Sequence, residues 1–231
     1  MPNLSPLSSS VLAAISGRRS VRAFREQPVS DEIVRTILGV AARAPSGNNT
    51  QPWRVHVLVG AAKERLTAAI LQERSSGEPE PAMEYAYYPA QFPEPYLGLR
   101  RELGWSLYSQ LGIRKGDRAA SRRWQDQNFT FFGAPVGIIF TMDRRLGLGS
   151  LIDIGMFLQA LNVAARSFGL EACTQAAFGA YHATIRRVLE LAPEQEVICG
   201  LSLGYEDKEA IPNRLRTSRL PLEEFVAFHS A

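Results

Sequence analysis

Three arginines and a hydroxyl group lie within five residues near the N-terminus: Arg18, Arg19, Ser20 and Arg22. In an extended chain alternate side chains point to the same side, so Arg18, Ser20 and Arg22 share one face. Guanidinium and hydroxyl donors match the oxygens of a phosphate group. We therefore call residues 17–24 the clamp segment and predict that it binds a phosphate. The alternative is a solvated basic turn, because short motifs match by chance.

A second polar segment follows after one predicted helix. Residues 44–53, here called the contact loop, read Ala-Pro-Ser-Gly-Asn-Asn-Thr-Gln-Pro-Trp. Pro45 ends the preceding helix, and the residues after it present backbone amides and carboxamides that can pair with a heterocycle. The candidate contact residues are Pro45, Ser46, Asn48, Asn49 and Gln51.

The two segments, in this order, resemble the FMN-dependent nitroreductase family. In that family a helix ends in an R-[RHS]-S-x-[RK] segment, and a loop A-P-S-x-x-N-x-Q-P-W follows one helix later. Residues 214–222 are similar to the basic tail that returns to the FMN phosphate in this family. Residues 131–137 and 213–225 most resemble the branch acting on nitrobenzoates and dinitroaniline-like compounds.

The resemblance implies a role for each candidate residue. Arg18, Ser20 and Arg219 are expected to hold the FMN phosphate, and Arg22 lies near the pyrimidine edge, where its charge stabilises reduced flavin. Backbone amides of residues 174–177 are expected near flavin N5 and O4. The full set of candidate cofactor residues is Arg18, Arg19, Ser20, Arg22, Pro45, Ser46, Asn48, Asn49, Gln51, Asn128, Thr174, Gln175, Ala176, Ala177, Arg216 and Arg219.

The implied reaction is a ping-pong transfer of two electrons. NAD(P)H gives hydride to FMN and leaves, and a flat nitroaromatic or quinone-like oxidant is then reduced. No general acid and no metal site is predicted. The resemblance further implies a homodimer in which the contact loop completes the FMN site of the other subunit.

Other activities are weighed beside this one. A reductive dehalogenase of halotyrosine binds its substrate with Glu, Tyr and Lys; Glu84 and Tyr88 imitate the first two, but no lysine follows before Lys115. Flavin fragmentation to a benzimidazole has weaker support. A flavin-binding protein without turnover is the alternative outside enzymes.

The implied fold is α+β, with a central, mostly antiparallel β-sheet flanked by helices in an intertwined homodimer. We expect one domain over residues 1–231, with a variable lid or insertion at about residues 75–126. The start of that insertion is rich in proline and aromatic residues. Those aromatic side chains either form a stacking surface over a substrate or fasten an irregular loop to the body.

Hydrophobic periodicity predicts the elements that position these segments. Serines 8–10 are expected to cap a first helix, and Ser30 caps a second that ends before Pro45. Strands are predicted at residues 53–59, 136–142 and 197–203, the middle one lying centrally in the sheet. Further helices are predicted at residues 61–74, 97–111, 117–128, 150–168 and 181–191.

Composition is typical of a soluble globular protein, with 45% hydrophobic and 21% charged residues. Cys173 and Cys199 have no CxxC pattern, so we expect buried, reduced thiols. The sequence shows no signal peptide and no membrane-spanning run, and a cytoplasmic location is expected. The basic stripe at residues 100–123 lacks a nucleic-acid-binding motif, so no nucleic-acid partner is predicted.

One motif matches a hydrolase signature by its letters. Residues 200–204 read Gly-Leu-Ser-Leu-Gly, the G-x-S-x-G pattern of a nucleophile elbow. That elbow requires a sharp strand-to-helix turn, whereas Ser202 lies inside a strand pattern. We therefore predict that Ser202 is not a nucleophile.

Overall fold

A computed structural model describes residues 6–76, 79 and 81–229. Within these residues the chain forms seven α-helices and four β-strands. The helices are α1 (Pro6–Gly17), α2 (Asp31–Ala41), α3 (Gly60–Ser75), α4 (Tyr96–Gln110), α5 (Arg118–Asp126), α6 (Gly149–Arg166) and α7 (His182–Val188). The strands are β1 (Arg54–Leu58), β2 (Val136–Asp143), β3 (Glu171–Gln175) and β4 (Gln195–Gly204).

The four strands form one sheet in the order β1-β2-β4-β3, and every neighbouring pair is antiparallel. β2 and β4 are buried along nearly their whole length, because helices cover both faces of the sheet. The predictions of an α+β fold, an antiparallel sheet and a central strand at residues 136–142 are confirmed.

Two hydrophobic cores lie on opposite faces of the sheet. One core packs α2 and α6 against the sheet and includes Phe157 and Trp53, whose rings lie 4.9 Å apart. The other contains Phe129, Phe131 and Phe178 together with residues of α3 and α7. A fully buried side chain of this size contributes about 1.5–3 kcal/mol, so these rings make a large part of the folding free energy.

Local signals explain where several elements begin and end. The Ser30 hydroxyl accepts a hydrogen bond from the Ile33 amide, and Asp31 and Glu32 favour the N-terminal end of α2. Gly169 has a φ of +70°, which a glycine adopts at low cost, and it follows the end of α6 as predicted. The expected cap of α1 is wrong, because that helix begins at Pro6 and residues 8–10 lie inside it.

Two further observations bear on the predictions from composition. Both cysteines are buried and free, as expected. Among the described residues, no helix is both long enough and apolar enough to cross a membrane.

Candidate functional site

The clamp segment runs beside β3 and the end of β4. The Val21 amide donates to the Ala172 carbonyl at 3.3 Å, and the Arg25 amide donates to the Tyr205 carbonyl at 2.9 Å. Phe24 forms an isolated antiparallel bridge with Glu206. These backbone contacts fix the segment against the outer edge of the sheet.

The charges of Arg18 and Arg22 and the hydroxyl of Ser20 all act on one buried thiol. Burial raises the pKa of Cys173, while the positive charges of Arg22 and Arg18 and the Ser20 hydroxyl act to lower it. The half-buried cations concentrate positive charge at the edge of the sheet.

Arg19 has a different environment from its neighbours. Its guanidinium forms an ion pair with Glu206, a carboxylate whose side chain is only 7% exposed. Arg19 is thereby engaged within the protein, although the sequence places it among the phosphate-binding candidates. Spacing alone did not reveal this, because Glu206 is 187 residues away along the chain.

The C-terminal tail is fastened to the clamp segment by Asn213, which is 3% exposed. Its side-chain oxygen accepts from the Arg22 amide at 2.7 Å, and its side-chain nitrogen donates to the Ala23 carbonyl at 2.8 Å. The sequence reasoning did not select this residue. The tail thus begins next to the clamp segment, as the resemblance implies.

The two tail candidates, Arg216 and Arg219, are exposed and make local hydrogen bonds. Arg216 donates to the carbonyls of Asn213 and Leu215, at 2.7 and 2.9 Å. Arg219 donates to the Thr217 hydroxyl and to the Ser218 carbonyl. Exposed arginines of this kind are available to an anion after a change of rotamer.

The contact loop follows α2 and has an unusual backbone. Asn48, Asn49 and Gln51 have φ angles of +48°, +58° and +47°. Such left-handed residues are uncommon outside glycine, and they cluster at functional sites. The Ser46 hydroxyl accepts from the Gln51 amide at 3.0 Å, which closes the loop on itself.

α6 holds the clamp segment and the contact loop at its opposite ends. The Gly47 amide donates to the buried carboxylate of Asp153 in the N-terminal part of α6, at 3.2 Å. Arg166, in the last turn of that helix, donates to the Gly17 carbonyl at 2.9 Å. At a rise of about 1.5 Å per residue these attachment points are roughly 20 Å apart, so the two segments are held near opposite ends of α6.

A third group of candidates lies at the end of β3. The Gln175 side chain is buried and donates from Nε2 to the Asn128 carbonyl at 2.7 Å, while its Oε1 accepts from the Ser202 hydroxyl at 2.6 Å. Thr174 is exposed, and Ala176 and Ala177 begin a short 3₁₀ helix, Ala176–Tyr181. The Gln175 carboxamide is thus engaged internally, which leaves the exposed Thr174 and the backbone of residues 174–177 as the groups that a ligand could contact.

The insertion is attached to the rest of the domain through two consecutive residues, Glu84 and Tyr85. Glu84 accepts hydrogen bonds from Arg144 and Arg186, both at 2.9 Å, and the Tyr85 hydroxyl donates to the Ile198 carbonyl at 2.6 Å. Beyond them, Tyr88 and Phe92 lie 5.6 Å apart, and the Arg100 guanidinium lies over both rings. The aromatic residues thus both fasten the insertion and leave an exposed surface.

A cavity of about 540 Å³ lies between the end of α3 and the start of α5. Its lining contains Arg74, Arg122 and Tyr181 and none of the candidate cofactor residues. This cavity is therefore separate from the predicted cofactor site.

Comparison with known proteins now supplies the family. The family model described as "Nitroreductase family" matches residues 15–205, which include the clamp segment, the contact loop and the whole sheet. The chain belongs to the nitroreductase family.

Relatives within the nitroreductase family match over nearly their full lengths. Nitrobenzene nitroreductase from Ectopseudomonas oleovorans is 41% identical, with 96% of this chain and 98% of the relative covered. 4-Nitrobenzoate reductase from Pseudomonas putida is 39% identical, with 94% of each chain covered. The structure of the FMN-dependent nitroreductase NfnB from Mycobacterium smegmatis in complex with NADPH superposes with a TM-score of 0.92, at 30% identity, covering 97% of this chain and 100% of that one.

Proposed function

We propose that this protein is an FMN-dependent oxidoreductase that takes hydride from NAD(P)H and reduces nitroaromatic or quinone-like compounds in two-electron steps. The observation that carries the proposal is that backbone contacts hold the clamp segment, which bears Arg18, Ser20 and Arg22, along the edge of the sheet and next to the start of the tail. The names of the full-length relatives, which act on nitrobenzene and 4-nitrobenzoate, support the same reaction.

The residues at this edge have the chemistry that a flavin phosphate requires. Arg18 has no side-chain hydrogen bond to any residue that the structure describes, and Ser20, two residues further on, supplies a hydroxyl that also interacts with Cys173. Guanidinium groups and a hydroxyl complement a phosphate dianion. We assign the phosphate to Arg18 and Ser20, with Arg216 and Arg219 reaching it from the tail.

The remaining candidates would surround the ring system. Arg22 would lie at the pyrimidine edge together with Asn128, and the backbone of residues 174–177 would approach N5 and O4. Pro45, Ser46, Asn48, Asn49 and Gln51 would contact the ring and the ribityl chain.

When bound, FMN supplies the hydride chemistry by accepting two electrons from NAD(P)H and passing them to the oxidant. The chain's contribution is electrostatic and positional. Arg22 is half-buried, and the hydrogen bond from its amide to Asn213 fixes the main chain that carries its guanidinium. At the pyrimidine edge, its charge would stabilise the negative charge that develops on the reduced ring. Arg19 does not add to this charge, because Glu206 neutralises it.

We further propose that the site is completed by a second copy of the chain in an intertwined homodimer. The separation of the clamp segment and the contact loop along α6 supports this arrangement, since neither segment alone surrounds a flavin. Apolar side chains exposed at the start of α6 supply a surface for the contact: Leu148 is 81% exposed and Ile152 is 69% exposed. Val11, Leu12 and Ile15 of α1 are exposed in the same way.

The insertion at residues 75–126 is proposed to form a lid over the substrate within a single domain of residues 1–231. Its anchored base and its exposed aromatic side chains are compatible with that role. A flat aromatic substrate would stack on such side chains. A cytoplasmic location is proposed from the two free thiols.

The halotyrosine dehalogenase alternative is not favoured. It requires Glu84 to be available for an amino-acid substrate, yet this carboxylate is held by Arg144 and Arg186 and lies 3.6 Å from the His182 ring. The interactions that fasten the insertion thus occupy the group that the dehalogenase would need.

Purification of the protein tests the proposal directly. We expect a yellow protein that contains one FMN per chain and oxidises NADPH or NADH when nitrobenzene or 4-nitrobenzoate is added. A colourless protein that takes up no FMN would refute the cofactor and the reaction together. A flavoprotein inert toward nitro compounds and quinones but active on iodotyrosine would establish the alternative enzyme, and one inert toward all three would indicate flavin binding without turnover.

A further inference from the structure

The hydrolase-like motif of residues 200–204 has a definite place in the sheet. It lies within β4, where alternate residues point to the same face, so Gly200, Ser202 and Gly204 form a row. In the pairing of β3 with β4, Gln175 lies opposite Gly200, and Cys173 lies opposite Ser202. The row therefore lies beside Cys173 and Gln175 of β3, on the same face of the sheet.

The two glycines of the row leave space for neighbouring side chains: Gly200 for Phe178, and Gly204 for Pro135 and Phe24. A Cβ at Gly200 would collide with the Phe178 ring, which follows Ala177 in the chain. A Cβ at Gly204 would approach Pro135 Cδ to 2.6 Å and Phe24 Cδ1 to 3.2 Å, and Phe24 ends the clamp segment. Neither position tolerates a side chain without a shift of these neighbours.

Ser202, the serine of this row, makes a hydrogen bond to Gln175. Ser202 is completely buried, and its hydroxyl donates to Gln175 Oε1 at 2.6 Å. Gln175, which is 3% exposed, then donates to the Asn128 carbonyl at 2.7 Å. With Oε1 held by Ser202, the carboxamide presents Nε2 and not Oε1 to Asn128, because the two ends of an amide differ in their hydrogen-bonding role.

We propose that Ser202 is a positioning residue of the flavin site, acting through Gln175 to fix the main chain at Asn128. The inference rests on the proposed function for the identity of the ligand, but the contact between the three residues does not depend on it. Removal of a buried hydroxyl that served folding alone would change only the stability. Removal of a positioning residue would also change the order of residue 128 and the environment of the bound ring.

The backbone after Asn128 is sensitive to such positioning. Phe131 and Phe132 have φ angles of +54° and +52°, uncommon for bulky residues. The turn is held by hydrogen bonds from the Phe131 amide to the Asn128 carbonyl and from the Phe132 amide to the Gln127 carbonyl. Loss of the Gln175 contact leaves the Asn128 carbonyl with one partner fewer at the start of this strained turn.

Thr141 provides a matched control. Its buried hydroxyl donates to Gln195 Oε1 at 3.0 Å, the same type of contact, and it lies on β2 among none of the candidate cofactor residues. Thr141→Val and Ser202→Ala each remove one buried hydroxyl from a hydroxyl-to-glutamine contact. The Thr141 hydroxyl also lies 3.2 Å from His56 Nε2, so Thr141→Val should lower stability at least as much as Ser202→Ala, whereas only Ser202→Ala should affect the site.

The first measurement is hydrogen exchange of the protein without flavin. We expect Ser202→Ala to increase the exchange of amides 128–132 by about tenfold, in proportion to the loss of one buried hydrogen bond, and Thr141→Val to leave them unchanged. The second is FMN titration, in which Ser202→Ala should bind about threefold to tenfold more weakly and shift the flavin absorption bands. Ser202→Thr, which keeps the hydroxyl, should recover part of both effects.

Gln175→Met is a second variant that tests the proposal if the Ser202→Ala protein does not fold. It should produce the same exchange pattern, and Ser202→Ala should add nothing in a Gln175→Met background, since both act on one contact. Unchanged exchange at residues 128–132 in the single variants, or equal changes in Thr141→Val, would overturn the positioning role. A wild-type protein that takes up no FMN would refute the proposed function while the exchange experiment still decides this inference.

Discussion

Arg19 is ion-paired with the buried carboxylate of Glu206, whereas Arg18, the preceding residue, forms no ion pair with any residue that the structure describes. Adjacent arginines of the same segment therefore have separate tasks. One joins the segment to the end of β4, and the other is available to a ligand.

This difference predicts opposite results for two neighbouring substitutions. Arg18→Ala should weaken FMN binding by about tenfold to a hundredfold, the effect of losing a hydrogen bond to a charged group, with little change in stability. Arg19→Ala should leave affinity within about threefold but lower the free energy of unfolding by about 3 kcal/mol, because Glu206 is left buried and unpaired. Flavin fluorescence titration and urea unfolding measure the two quantities.

The double variant Arg19→Ala/Glu206→Gln is the control for this interpretation. It removes the unpaired charge and should recover much of the stability lost in Arg19→Ala. Equal losses of FMN affinity in Arg18→Ala and Arg19→Ala would instead show that both arginines hold the phosphate.

Arg22 is predicted to affect turnover more than cofactor affinity. Arg22→Ala should slow reduction of the bound flavin by NADPH about tenfold to a hundredfold, since a positive charge is lost where negative charge develops. Stopped-flow absorbance measures this step, and Arg22→Lys, which keeps the charge, should retain more of the rate. A variant that reduces its flavin at the wild-type rate but loses the flavin readily would remove Arg22 from this role.

The separation of the clamp segment and the contact loop can be tested with mixed dimers. One chain carries Arg18→Ala, and the other carries Asn48→Gly, which removes a carboxamide at a position whose positive φ glycine accepts. If each site uses the clamp segment of one subunit and the loop of the other, random mixing restores about a quarter of the sites to the wild-type composition.

FMN content and nitroreductase activity of the mixture, compared with each variant alone, give the answer. A matched control places both substitutions in one chain and mixes it with wild-type chain, so that every mixed dimer has two sites with one defect each. Recovery by the two single variants is expected only for a site shared between subunits. Activity no higher than the average of the two variants would place the whole site in one chain.

Much of this arrangement follows from local sequence signals. The strands at residues 136–142 and 197–203 were predictable because their apolar runs are long enough to fill a buried sheet, and α2 because Ser30 and the spacing of apolar residues mark it. β3 was missed: Glu171–Gln175 is five residues long and is stabilised by pairing with β4 and not by its own pattern. The clamp segment was predicted without this partner.

The roles of several residues depend on tertiary contacts that the sequence motifs do not reveal. The letters of residues 18–22 do not distinguish Arg19 from Arg18, because the difference lies in Glu206. The motif of residues 200–204 indicated nothing about Gln175, since their contact joins two strands. Asn213 was passed over because an asparagine in a basic tail carries no signal until its three hydrogen bonds are seen.

Glu84, which attaches the insertion to the rest of the domain, predicts how the stability of the protein changes at low pH. Burial is the largest influence on the Glu84 carboxyl and favours its neutral form, but the hydrogen bonds from Arg144 and Arg186 together with the His182 charge outweigh it. The pKa therefore lies below the ordinary value of 4.5. A carboxyl group with a lowered folded-state pKa stabilises the protein above its unfolded pKa, and this contribution is lost as the pH falls through the folded value.

Glu84→Gln should accordingly lower the free energy of unfolding at pH 7 by about 2 kcal/mol, because two arginines lose their buried partner. The difference from wild type should remain constant down to about pH 5. It should shrink as the pH falls below 4.5, where the carboxyl of the unfolded chain becomes protonated, and on through the lower folded-state pKa. Urea unfolding across this pH range measures it. Asp143→Asn is the control: this carboxylate pairs with Arg145 at the surface, so its removal at pH 7 should change stability little. A Glu84→Gln protein as stable as wild type at pH 7 would show that the hydrogen bonds to Glu84 do not hold the insertion, and the carboxylate would then be available to a substrate.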